Sequence, residues 1–179
     1  MPLPPESHRL QPDHLPTPFS AAEIREGCPA GRTIRLREEV PGQEPTYRRI
    51  RFTRVDEEAA VHEVQATDED GVPIGEPTLG DSTWLDLQRH ASQPADATTV
   101  REVAIPLPFG TFDCWLYTVR TPDGELRFWF ARQLPGMPVQ VEEWVDGSLA
   151  GRSTVIANDQ PPGWGSPVEK DESAPKSRG

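Results

Sequence analysis

The chain has 179 residues, a net charge of −11, 21 prolines and two cysteines. That length suits one domain, and the negative charge argues against general binding of nucleic acid or anionic membrane, both of which need positive surface. No apolar run approaches the roughly 18 residues of a membrane-spanning helix, and the N-terminal Met-Pro-Leu-Pro-Pro-Glu-Ser-His lacks the basic and apolar regions of a signal peptide. A cytoplasmic protein is expected, with Cys28 and Cys114 as reduced thiols.

Six prolines fall in residues 1–19 and four in residues 160–179. Both ends are poor in apolar residues and cannot offset their ordering entropy. They are expected to be disordered tails around a β domain at 20–159. Ser20-Ala21-Ala22-Glu23 has the capping-box pattern and predicts a helix over 21–26, stopped by Gly27 and Pro29. Residues 31–40 alternate, with Ile34 and Leu36 on one face and Arg35 and Arg37 on the other. Pro41-Gly42 turns the chain. Residues 46–55 continue the pattern, Ile50 and Phe52 opposing Arg49 and Arg51, and residues 60–66 read as a third strand. Residues 72–80 hold two prolines and two glycines and read as a loop with at most a short strand. Asp81 and Ser82 are good caps for a second helix at 83–91. Thr98 to Ile105 is β-branched and alternating. Beyond Pro106 and Pro108, runs at 110–121 and 125–131 are separated by Pro122-Asp123-Gly124, and runs at 139–145 and from Ser148 by Asp146-Gly147. Such spacing predicts an antiparallel meander. The fold class is mainly β: a single antiparallel curved sheet or half-barrel of about seven strands, with one or two short helices.

No residue can be nominated as catalytic. Phosphate-loop, nucleophile-elbow and zinc-protease patterns are absent. Cys114 follows Asp113, which disfavours a thiolate, so it reads as a buried small hydrophobe. His62 and His90 share no metal-ligand spacing with each other or with the cysteines, and no cofactor or metal is expected. Asp68-Glu69-Asp70-Gly71 begins like a calcium loop, but Leu79 stands where the twelfth-position glutamate is needed, so it reads as a hairpin turn. Seven of the 18 basic residues crowd into residues 32–54. In a hairpin, Arg35 and Arg37 would share a face with Arg49 and Arg51, and like charges across a ladder repel. Either acidic neighbours such as Glu38, Glu39, Glu44 and Glu63 neutralise them, or an anionic ligand or acidic partner does.

The run Pro108-Phe109-Gly110-Thr111-Phe112-Asp113-Cys114, then Phe128-Trp129-Phe130-Ala131 and Leu134-Pro135-Gly136-Met137-Pro138-Val139, resembles bacterial proteins with a LolA-like or DUF3108-like curved sheet. The resemblance covers about 50 residues. It implies a half-barrel whose concave face holds an apolar ligand, usually in an exported protein. On that basis the expected function is a soluble binding module for a small apolar or amphipathic ligand, with no membrane span. Trp84, Phe112, Trp115, Tyr117, Phe128, Phe130, Met137 and Trp144 are the candidate lining. The alternative is a protein-interaction domain that uses Arg35, Arg37, Arg49 and Arg51 on an acidic partner or subunit. An enzyme reading has only scattered polar residues behind it.

Overall fold

The computed structural model describes residues 3–162. Among these, nine strands form one antiparallel sheet. The first meander is β1 (Thr33–Glu39), β2 (Thr46–Val55), β3 (Ala59–Thr67) and β4 (Pro73–Thr83). The second is β5 (Thr98–Leu107), β6 (Gly110–Thr121), β7 (Gly124–Ala131), β8 (Gln140–Val145) and β9 (Ser148–Asp159). The strand order is β4-β3-β2-β1-β9-β8-β7-β6-β5, so the meanders meet at one long-range ladder, where Leu36 faces Val155. Two helices, α1 (Ala21–Gly27) and α2 (Trp84–Arg89), complete the fold.

The capping box of α1 forms as the sequence predicts. Ser20 Oγ accepts from the Glu23 N–H, and the Glu23 carboxylate accepts from the Ser20 N–H at 2.8 Å. Strand β4 corrects the loop reading of residues 72–80. Its prolines are compatible with a strand because β4 is a sheet edge: Pro73 opens it, and Pro77 falls in a bulge between the Ile74↔Ala66 and Thr78↔Val64 pairs. Gly75 in that bulge has φ +71°, and its carbonyl accepts from Gln65 Nε2.

The N-terminal segment also departs from expectation. Composition reads residues 1–19 as a disordered tail, but residues 3–19 are built into the fold. Thr17 is fully buried and donates through its hydroxyl to the His8 and Phe19 carbonyls. Gln88 of α2 donates to Thr17 Oγ1 and accepts from the Ala21 N–H. Tyr117 donates its hydroxyl to the Pro16 carbonyl at 2.7 Å. Proline already restricts φ, so ordering this segment costs less entropy than its length suggests. Of the expected tail at 160–179, residues 163–179 lie outside the described residues.

The helices and the N-terminal segment cover one face of the sheet. Phe19 meets the rings of Trp115 and Phe130 on that inner face, with centroids 5.9 and 6.4 Å away. Strict alternation puts Arg35, Arg37, Arg49 and Arg51 on the other side, the outer face.

Candidate functional site: an apolar cavity between sheet and helices

Between the inner face and the two helices lies a cavity of about 310 Å³. The first meander gives it Ile34, Ile50, Phe52 and His62. The second gives Phe128 and Phe130, and the β7–β8 loop gives Gly136, Met137 and Pro138. The rest of its wall is Pro18 and Phe19 with Ile24 and Cys28 around α1, and Leu87, His90, Ala91 and Gln93 on α2 and just beyond it. An apolar hollow of this size, with few polar groups, is the usual form of a small-molecule site.

Three of the eight aromatic and methionine candidates, Phe128, Phe130 and Met137, come together here. The other five are placed elsewhere. Trp84 is 3% exposed at the start of α2 and donates its indole N–H to the Asp56 carbonyl. Trp115 packs on Phe19 and lies under the Arg132 guanidinium, 5.2 Å from ring centroid to Cζ. Tyr117 is held to Pro16, and burial pushes its phenol pKa up. Phe112 packs at a tilt against Phe109, with ring centroids 5.1 Å apart. Trp144 belongs to the outer face, where its indole N–H donates to Glu142 and Arg127 sits 4.7 Å above its ring. Glu142 is itself buried and receives a two-pronged bond from Arg152 at 2.8 and 2.9 Å.

Alternation along the strands marked Ile34, Ile50 and Phe52 as inward-facing. It could not show that they border a gap, because that depends on where α1 and α2 come to rest. His62 and His90, which share no metal-ligand spacing in the sequence, both reach the cavity wall. Among the described residues, no group of three or more His, Cys, Asp or Glu side chains could hold a metal ion.

Three of the four outer-face arginines find partners within the chain. Arg35 lies directly opposite Arg49, as the hairpin register requires. The β3–β4 turn folds over Arg35, whose Nη2 donates to the Glu69 carbonyl at 2.8 Å while Gly71 packs on its guanidinium. Arg49 pairs with Glu63 and Gln65, and Arg37 with Glu39. Arg51 has no ion pair among the described residues.

Arg32 behaves differently. It is 2% exposed and has no carboxylate partner among the described residues. Its Nη1 donates to the Gly27 and Pro135 carbonyls and lies 3.1 Å from Cys28 Sγ, while its Nε donates to Asn158. The guanidinium thereby ties the end of α1 to the β7–β8 loop and to β9. Burial pushes the Cys28 thiol pKa up, and the Arg32 charge works against that rise. Cys114 is fully buried, and its thiol is pushed up to about 12 by burial and then by the Asp113 charge. Neither thiol is set up as a nucleophile.

No protein-family model matches the chain, and no curated protein matches it in sequence. Among solved structures it is similar to MucB. The two share 14% identity at a TM-score of 0.52, over 86% of this chain and 60% of the MucB chain. The chain thus spans about three-fifths of that protein's length. At this identity the likeness shows fold alone, and it supports the LolA-like sheet implied by the 108–139 motifs. The narrower DUF3108 likeness has no family match behind it. A redesigned β-barrel matches at 12% identity and a TM-score of 0.31, over 79% of this chain and 100% of the design, too distant a likeness to carry an argument.

Proposed function

We propose that this chain is a non-enzymatic binding module that holds a small apolar or amphipathic ligand between its sheet and its helices. The observation behind the reading is the apolar cavity of about 310 Å³, walled by rings and aliphatic side chains from both meanders. Desolvating an apolar ligand there is worth about 25 cal/mol per Å² of surface removed from water. Titration with the neutral dye Nile red tests it. The native chain should bind the dye with a rise in fluorescence. Ala91→Trp, which pushes an indole into the cavity, should remove that rise while the chain stays folded. Unchanged dye affinity in the variant would place the dye elsewhere and refute the reading.

A second reading has the Arg32–Arg54 segment docking an acidic protein partner. Arg51, exposed and without an ion pair, favours it. The intramolecular partners of Arg35, Arg37 and Arg49 weigh against it. Arg49→Glu with Arg51→Glu should abolish capture of such a partner, and an unaltered partner profile would dismiss it.

A further inference from the structure

The polar groups of the cavity are one-sided. They are His62, His90, Gln93 and the Cys28 thiol, and no carboxylate is among them. Neither imidazole has a hydrogen bond or ion pair among the described residues; His90 lies near enough to Asp86 for the two to interact electrostatically, and the one ring that His62 meets is Phe52, at 6.4 Å. Gln93 accepts at its backbone carbonyl from the Leu15 N–H, and its side-chain amide has no hydrogen bond among the described residues. Behind the wall at Cys28 and Gly136 stands the buried Arg32 cation, which has no carboxylate partner among the described residues. A Cβ placed on Gly136 would sit 3.1 Å from its Nη1. Two imidazoles and an amide therefore line an apolar space, with one buried guanidinium behind its wall. Hydrogen-bond donors at the edge of such a space favour an acceptor head group, and a cation nearby adds to the preference for an anionic one.

The volume limits the size of the guest. An apolar cavity of about 150 Å³ takes benzene, so a space twice as large takes about a dozen carbon atoms. That matches one alkyl chain of medium length.

We propose that the ligand is a single-chain carboxylic acid of about a dozen carbons. Its tail lies among Ile50, Phe52, Phe128 and Met137, and its carboxylate accepts hydrogen bonds from His62, His90 and Gln93. The proposal rests on the binding-module reading and adds the class of head group to it.

The test is competition against Nile red on the full chain, with dodecanoate and dodecan-1-ol as the probes. The two share a tail and differ in head-group charge. Dodecanoate should displace the dye at least 10-fold more tightly than the alcohol. His62→Leu combined with His90→Leu should erase that preference, so that acid and alcohol displace the dye with equal affinity. His90 is exposed, so His90→Leu alone keeps the test valid if the double variant does not fold; it should lower the preference several-fold. Equal affinity of the native chain for acid and alcohol would overturn the head-group assignment while leaving the binding-module reading intact. So would dye binding that dodecanoate cannot displace. Absence of Nile red binding by the native chain would overturn both.

Discussion

Replacing Tyr117 with phenylalanine removes one oxygen and tests whether the N-terminal segment belongs to the fold. The Tyr117 side chain is fully buried, and its hydroxyl donates to the Pro16 carbonyl at 2.7 Å across 101 residues of sequence. In the variant the ring still fills its space, so no cavity cost arises. What is lost is a buried hydrogen bond, and the Pro16 carbonyl loses that donor. A typical net bond is worth about 1 kcal/mol, and stranding its partner raises the cost to about 1–3 kcal/mol. A value near 2 kcal/mol, at about 2–4 °C per kcal/mol for a chain of this size, lowers Tm by about 4–8 °C. Scanning calorimetry measures this, and urea unfolding should show a lower midpoint at unchanged m-value. A second arm deletes residues 1–16, with and without Tyr117→Phe. Once Pro16 is gone, the hydroxyl has lost its acceptor, so the two changes should cost much less together than their sum. Full additivity, or a single-variant shift below about 1 °C, would mean that the segment is not held there in solution.

Other substitutions probe the remaining buried polar groups. Glu142→Ala strands Arg152, Arg127 and the Trp144 N–H; because both arginines are about a third exposed and can rehydrate, the loss should be about 2 kcal/mol in urea unfolding, below the 3–5 kcal/mol of a fully buried broken pair. Arg32→Met leaves the Gly27 and Pro135 carbonyls and Asn158 Oδ1 without their donor and should cost about 3 kcal/mol by the same measurement. The raised thiol of Cys114 gives a pH signature. An unfolded cysteine ionises near pH 8.5, whereas the folded one stays protonated to about 12, so its contribution is complete below pH 8.5 and is lost as the pH rises toward 12. Stability should therefore fall across that alkaline range, and less steeply in Cys114→Ala. A thiol reagent at pH 8 should label Cys114 only after denaturation; rapid labelling of the native chain would contradict the burial.

The meander was legible because Asp-Gly and Pro-Gly pairs punctuate runs of rings and β-branched residues, and those local signals need no tertiary help. The capping box at Ser20 was legible for the same reason. Strand β4 was not, since its pairing with β3 depends on an edge position and a bulge that excuse Pro77, and both are properties of the assembled sheet. The N-terminal segment was read from its composition alone. Its order comes from distant donors, Gln88 and Tyr117, that no local pattern announces. The site shows the same limit. Alternation separates Trp144 from Val145 and Phe128 from Trp129, but it gives no sign of which face the helices will cover. Trp144 therefore looked like lining and is an outer-face indole, while Ile50 and Phe52, read as ordinary core, border the cavity.

The seam between the two meanders bears on how the chain is made. Each wing is built from neighbouring hairpins, whose contacts are short-range and quick to form. The β1–β9 ladder that joins them spans more than a hundred residues, from Leu36 to Val155, and the Arg32–Asn158 bond spans 126. A ribosome making this protein releases β9 after the other eight strands, so until β9 emerges β1 has an open edge and the cavity lacks its docked second-meander wall. A nascent chain stalled before residue 148 exposes the long edge of β1, with Ile34 and Leu36 beside it, to any strand it meets.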